Sequence, residues 1–298
     1  MPPNDPLASG TMATWLDELC RERASYSLPP RANARAGSFA DGILAFLFPH
    51  FAPRLDGARA ALDRELALIA EEAPALFADF LAHQAGPGIT HTVEVSIDAD
   101  GATAGRAFMD SLPALREALL ADAHFLVASD PAATSVEEVI LAYPGFHAVA
   151  CYRLANRIRS LGIPLLPRLI TEHAHMRTGI DIHPGATIGV PFAIDHGTGI
   201  VIGETATVGV RVRIYQGVTL GALSVEKGLA SAKRHPTIGD DVILYANATV
   251  LGGRTVIGAG SVIGGNVWLT RSVAAGSVVV HQPMNTQSNA AANDIFQI

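Results

Sequence analysis

Between residues 181 and 298 six side chains stand out for what they could do: Asp181, His183, Asp195, His196, Arg234 and His235. Charge is scarce around them. That stretch holds seven acidic and seven basic positions, so it is neutral, and the whole net charge of −7 belongs to residues 1–180. Asp195-His196 sits where small apolar residues would serve packing. An aspartate that accepts a hydrogen bond from one imidazole nitrogen fixes the tautomer and leaves the other nitrogen basic. Such a pair is a general base for a hydroxyl. The same spacing is met by a satisfied structural Asp–His bond. His183, just before Pro184, reads better as a turn residue than as a catalytic one.

The elements that must position these groups follow a six-residue period. An aliphatic residue recurs at Ile182, Ile188, Ile194 and Ile200, then, after a slip of two, at Ile202, Val208, Ile214 and Leu220. It returns at Ile238, Leu244, Val250, Val256, Val262 and Trp268. Period six fits neither an α-helix nor a hairpin sheet; it fits a parallel β-helix whose hexads are each one short strand and one turn. Three hexads make a triangular coil of about 18 residues with the aliphatic side chain inward. Asp181, fifteen residues before His196, then lies on an adjacent level of the same stack. Of the 28 glycines, 18 fall between Gly179 and Gly276, where the chain must turn corners. ALSVEKGLASAKRHPT, after Leu220, breaks the pattern and holds both lysines of the chain, Lys227 and Lys233. It reads as a loop extruded from the coil.

The leader before the repeats reads helical. Thr14 precedes WLDELCRERA, and RLDGARAALDRELALIAEEA spaces Leu55, Ala58, Leu62, Leu66 and Ile69 at threes and fours. AGRAFMDSLPALREALLADAHFLVAS is a further helix in which Pro113 marks a start or a kink. Ser135 and Glu138 form a capping box, and Pro144 opens a helix ended by Gly162 and Pro164. HTVEVSIDADG alternates like a strand or extended linker. The fold class is therefore α+β: an α-helical N-terminal domain over 1–178, a left-handed parallel β-helix over 179–281 and a flexible C-terminal tail over 282–298. With 16% charged residues and 49% hydrophobic ones the chain is not a solvated disordered one. A net charge of −7 without a Lys/Arg run argues against nucleic acid. No long apolar run suggests a membrane span, and the N-terminus lacks a secretory pattern, so a cytoplasmic protein is expected. Cys20 and Cys151 make neither a disulfide framework nor a Cys-based zinc site.

At this point a family is recognisable. DPAATS at 130–135, PGFHAVACYRLA at 144–155, GIDIHPGATIG at 179–189, IDHGTGIVIGETA at 194–206, YQGVTLG at 215–221 and RHPTIGDDV at 234–242 resemble serine O-acetyltransferase, a hexapeptide-repeat acyltransferase of cysteine biosynthesis. The resemblance covers about half of the chain strongly, from Asp130 to about Ala275. It implies acetyl transfer from acetyl-CoA to the hydroxyl of L-serine without an acetyl-enzyme. His196 would be the general base, and Asp181 would orient it. Asp130 and Asp195 would bind the substrate ammonium, Arg234 its carboxylate, and His235 would line the pocket. Asp130 also suits an ordinary N-cap before Pro131, and Arg234 a loop salt bridge.

The same resemblance places acetyl-CoA along the β-helix against Ala222, Ala246 and Gly264, which also suit hexad corners. Acetyl-CoA is a co-substrate; no permanently bound cofactor and no metal are implied. The loop after Gly221 is about four residues longer than the family's compact form. The family implies a homotrimer with sites between subunits, leaves pairing of two trimers open, and implies inhibition by L-cysteine. A tail ending in Ile298 would enter O-acetylserine sulfhydrylase, unless it is merely disordered. Rival readings are another hexapeptide acetyltransferase acting on homoserine, a sugar or a xenobiotic, a zinc enzyme using His183, His196 and His235, and a β-helix scaffold without activity.

Overall fold

The computed structural model describes residues 10–26, 28–51, 59–84, 100–223 and 232–281. The strand-like stretch at 91–101, most of the extruded loop with Lys227, and the tail with Ile298 lie wholly or almost wholly outside them. No described helix is long and apolar enough to cross a membrane. The helices are α1 (Gly10–Ser25), α2 (Ala32–Leu47), α3 (Arg59–Gln84), α4 (Gly101–Ser129), α5 (Val136–Ala142), α6 (Pro144–Ser160) and α7 (Leu166–Thr178). Thr14 and Pro113 lie inside helices rather than at their starts. Ser135 does cap α5, its hydroxyl accepting the Glu138 N–H at 3.1 Å. The Glu138 carboxylate reaches one residue further back than a capping box requires, to Thr134 N–H at 2.7 Å.

The chain folds as two compact units. One takes in the described residues up to Leu112 together with Arg157–Leu169. Its centre is an aromatic cluster of Phe39, Phe77 and Phe108, with ring centroids 5.6–6.1 Å apart and largely edge-on or tilted. The second unit comprises Pro113–Asn156 and the chain from Ile170 onward. Residue 178 thus marks where helix gives way to strand, not where one compact unit ends.

The second unit holds a parallel β-helix of five levels, built as three sheets. Sheet 1 stacks β1 (Asp181–Ile182), β4 (Val201–Ile202), β7 (Thr219–Gly221), β10 (Thr249–Leu251) and β13 (Trp268–Leu269). Sheet 2 stacks β2 (Thr187–Ile188), β5 (Thr207–Val208), β8 (Thr237–Ile238) and β11 (Val256–Ile257). Sheet 3 stacks β3 (Phe192–Asp195), β6 (Val212–Tyr215), β9 (Ile243–Leu244), β12 (Val262–Ile263) and β14 (Val278–Val279). Asp181 pairs with Val201, Val201 with Thr219, Thr219 with Thr249, and Thr249 with Trp268. The coils therefore do not keep the uniform length that three hexads would give. Only the second, from Val201 to Thr219, matches it. The third, from Thr219 to Thr249, is the longest because it contains the extruded loop.

The hexad positions from Ile182 to Val250 all point inward and are at most 7% exposed. The last three do not keep this pattern. Val256 is 44% and Trp268 68% exposed, whereas Ile257 and Ile263 are fully buried. One extra residue at Gly252–Gly253 moves every later strand by one, and in a strand a one-residue shift exchanges the inward and outward faces.

Helix α6 covers the first coil. Ala148, Val149 and Tyr152 join the coil core. The Tyr152 hydroxyl donates to Ala186 O at 2.7 Å, Asn156 Nδ2 to Pro184 O at 2.9 Å, and Arg153 Nη2 to Gly189 O at 2.9 Å. These carbonyls belong to the first level, which has no earlier coil to pair with, so the helix satisfies them instead. Arg153 is itself held by a buried bidentate pair with Asp122, at 2.5 and 2.8 Å, and Asp122 also accepts the Phe192 N–H at 2.8 Å.

Candidate active site

The β-helix presents the sequence-predicted residues at two different corners. Asp195 ends β3, and His196 opens the corner from sheet 3 to sheet 1. This corner spans 196–200, and its extra residues displace the imidazole outward. His196 has φ 57°, a left-handed conformation that non-glycine residues adopt sparingly, and its side chain is 72% exposed. Its Nε2 lies 3.9 Å from Asp195 Oδ1. Asp181 heads β1 beneath the same corner: its N–H donates to Ile200 O at 2.9 Å, and Gly199 N–H donates to Gly179 O at 2.8 Å. The two members of the expected dyad therefore sit on adjacent levels at one corner, as the spacing implied.

Asp130, just past α4, lines a small pocket with Asp195, Ser129, Arg213 and Tyr215. The Tyr143 hydroxyl donates to Asp130 Oδ2 at 2.7 Å, and Ala132 N–H donates to Oδ1 at 2.8 Å. That carboxylate pushes the Tyr143 hydroxyl up to about 12, so it remains a donor. Asp130 thus closes a local turn rather than capping a helix, and lines the same pocket as Asp195. Arg213 donates to Ser129 O at 3.3 Å. Tyr215 pairs in register with Asp195 and stacks on Tyr245, centroids 5.1 Å apart. Arg213 and Tyr215 were not singled out from the sequence. The signal was their register with Ala193 and Asp195, hidden because this coil is longer than three hexads.

Arg234 and His235 occupy the other corner, from sheet 1 to sheet 2, just before β8. His235 is 8% exposed and lies over Gly203, where a Cβ would overlap its ring. Its Nδ1 accepts the Thr205 N–H at 3.0 Å. Burial, then the adjacent Arg234, push its pKa down to about 4, so the ring is neutral at pH 7 and carries its proton on Nε2. Arg234 Nη2 pairs with Glu204 Oε2 at 2.5 Å, the loop salt bridge weighed from sequence. His183, at the same corner on the first level, accepts the Gly185 N–H through Nδ1 at 3.0 Å, as a turn residue should.

Ala246 and Gly264 stand at the His196 corner on later levels, stitched by Asn247 N–H to Gln216 O and Asn266 N–H to Ala246 O, both 2.9 Å. Ala222 stands at the other corner. Beside it lies a groove of about 640 Å³ whose lining includes Lys233, Arg234, Arg254 and Arg271. Four of the seven basic residues in 181–298 therefore face one groove. Among the described residues the His/Asp/Glu group close enough to hold a metal ion is Glu172, His175 and Asp181; the histidine trio weighed from sequence is divided between the two corners.

No protein-family model matches the chain. A plasmid-encoded serine acetyltransferase of Synechococcus elongatus is 43% identical over 267 residues, covering 85% of this chain and 82% of that protein. The serine acetyltransferase of Mycobacterium tuberculosis is 51% identical over 154 residues, covering 52% of this chain and 65% of its own length. Among solved structures, serine acetyltransferase isoform 3 of Entamoeba histolytica in complex with cysteine matches with a TM-score of 0.71 and 33% identity, covering 84% of this chain and 83% of that one. That of Neisseria gonorrhoeae in complex with serine matches with a TM-score of 0.55 and 28% identity, covering 82% and 94%. With this identity sustained over most of both chains, and with the residue runs and the β-helix in agreement, the chain belongs to the serine acetyltransferase family.

Proposed function

We propose that this chain transfers the acetyl group of acetyl-CoA to the hydroxyl of L-serine, giving O-acetyl-L-serine and CoA, with His196 as the general base. The observation that carries this reading is the exposed His196 imidazole, held in a left-handed conformation at the corner next to the Asp181 level, with its Nε2 3.9 Å from Asp195 Oδ1. His196 takes the hydroxyl proton as the serine oxygen attacks the thioester carbon. It returns that proton to the sulfur as the C–S bond breaks. Asp181 orients the ring and offsets its developing charge. Asp130 and Asp195 face the ammonium, Arg234 faces the carboxylate, and His235 offers its Nε2–H. Holding both substrates in one complex supplies much of the rate gain.

The division of these groups between two corners supports a site built from two copies. A homotrimer that sets the His196 corner of one copy against the Arg234 corner of the next completes three equivalent sites. Acetyl-CoA then runs between copies, past Ala246 and Gly264 of one and Ala222 of the other. Its phosphates lie in the groove of Lys233, Arg254 and Arg271. L-cysteine, which differs from serine by its thiol, takes the same ammonium and carboxylate contacts and inhibits; relatives solved with cysteine and with serine support both ligands. The terminal Ile298 docks into O-acetylserine sulfhydrylase. The test is CoA release with L-serine, L-homoserine and a sugar acceptor, in the unaltered protein and in His196→Ala. Serine-dependent release that disappears in the variant supports the reading; release that survives it refutes His196 as the base.

A further inference from the structure

Helix α7 brings two more titratable groups to Asp181. Glu172 and His175 are three residues apart and share one helix face. A nitrogen of His175, a carboxylate oxygen of Glu172 and one of Asp181 all lie within 4.8 Å of one another. His175 Nδ1 is 3.4 Å from Glu172 Oε2. The chain between His175 and Asp181 is short and tied down. Gly179 N–H donates to His175 O at 2.8 Å, Thr178 Oγ1 to Ala174 O at 2.8 Å, and Ile180 N–H to Thr178 Oγ1 at 3.2 Å. The approach of His175 to Asp181 is therefore set by a capped helix end running into a β-helix rung.

We infer that His175, backed by Glu172, is a positioning residue for the acetyl transfer, holding the Asp181 carboxylate in the orientation that serves His196. The inference rests on the reading of Asp181 and His196 as orienting acid and base. A carboxylate has two oxygens and can accept one N–H on each. A donor on one oxygen alone restrains its last torsion less than donors on both. A second donor on the far side fixes that torsion, and with it the ring that the first oxygen orients. Glu172, 3.4 Å from His175 Nδ1, helps fix which way the ring faces.

The test is to measure kcat and both KM values for His175→Ala beside Asp181→Ala and His196→Ala. His175→Ala lowers kcat about tenfold, a misplacement effect, while both KM values stay within about twofold. His175→Gln or His175→Asn, which restores one N–H donor, recovers most of the loss. Adding His175→Ala to Asp181→Ala costs nothing further, because the two act as one unit. Should the alanine variant fail to fold, His175→Phe keeps the ring volume without an N–H and is read the same way. Unchanged kcat, a loss that persists in the Asp181→Ala background, or no recovery in either amide variant overturns the inference. A His196→Ala protein that still uses serine overturns the reading beneath it, a distinct outcome.

Discussion

His235 meets Thr205 twice: its Nδ1 is 3.0 Å from the Thr205 backbone nitrogen and 2.9 Å from the hydroxyl. A backbone N–H only donates, so Nδ1 must accept and the ring must stay neutral. Protonation would cost that bond as well as the desolvation that, with Arg234, already pushes the pKa from 6.5 to about 4. The folded value is thus below the unfolded one. Between about pH 6.5 and 4 the unfolded chain binds a proton that the folded chain refuses. The stability this site contributes is complete above that window and is lost as pH falls through it. In His235→Asn the amide oxygen can accept the Thr205 N–H without titrating. Denaturant midpoints measured from pH 7 to 4 should fall less steeply in His235→Asn than in the unaltered protein. Equal slopes mean that His235 is not held neutral.

Tyr143 and Asp130 give a prediction confined to one substrate. The tyrosine hydroxyl is pushed up to about 12 and remains a donor throughout the working range, pinning one oxygen of Asp130 at 2.7 Å. Tyr143→Phe removes one hydrogen bond to a charged acceptor and lets that carboxylate turn. KM for serine is expected to rise about two- to tenfold, with KM for acetyl-CoA unchanged. Asp130→Asn, which removes the charge itself, should cost more. Initial-rate kinetics with each substrate varied in turn check this. An unchanged KM for serine in both variants removes Asp130 from the ammonium site.

Arg254 and Arg271 line the groove beside Ala222, and neither has a salt bridge among the described residues. Two such cations in a groove attract a ligand with several negative charges, and CoA carries its charge at the phosphate end. Arg254→Ala and Arg271→Ala should each raise KM for acetyl-CoA about tenfold at low salt and flatten its dependence on ionic strength. KM for serine should not move. Acetyl-pantetheine, which lacks the phosphates, should be used equally by variants and unaltered protein. Equal KM for acetyl-CoA in all of them would place the phosphates elsewhere.

Much of this was legible in the residues. The hexads from Ile182 to Val250 identified the β-helix because an inward aliphatic residue recurs at the period of the coil. Asp181, Asp195 and His196 were visible against a background nearly free of charge. What escaped was whatever depends on coil length. The coils differ in length, and they carry their differences in the corners, where the aliphatic period is silent. Tyr215 could not be set beside Asp195 without knowing that the coil between them exceeds three hexads. Nor could Glu172 and His175 be set beside Asp181 without the bend after Thr178. The separation of His196 from Arg234 is likewise a matter of which corner each occupies.

The register after Gly252 offers the most direct check of that limit. Hexad counting assigns Val256 to the core, whereas the structure buries Ile257 completely and leaves Val256 44% exposed. A buried aliphatic residue truncated to alanine loses its transfer free energy and leaves a cavity between stacked levels, so Ile257→Ala should cost about 2–4 kcal/mol of stability. Val256→Ala removes methyl groups that already meet water and should cost under about 0.5 kcal/mol. Deleting Gly253 would set Ile257 six residues after Val250, the regular hexad spacing, and so should keep Ile257 inward and Val256 outward while moving Arg254 within its corner. That deletion should leave the ranking of the two alanine variants unchanged and weaken acetyl-CoA binding. Denaturant titrations of the two single variants suffice on their own, since equal costs at Val256 and Ile257 are incompatible with an extra residue at Gly252–Gly253.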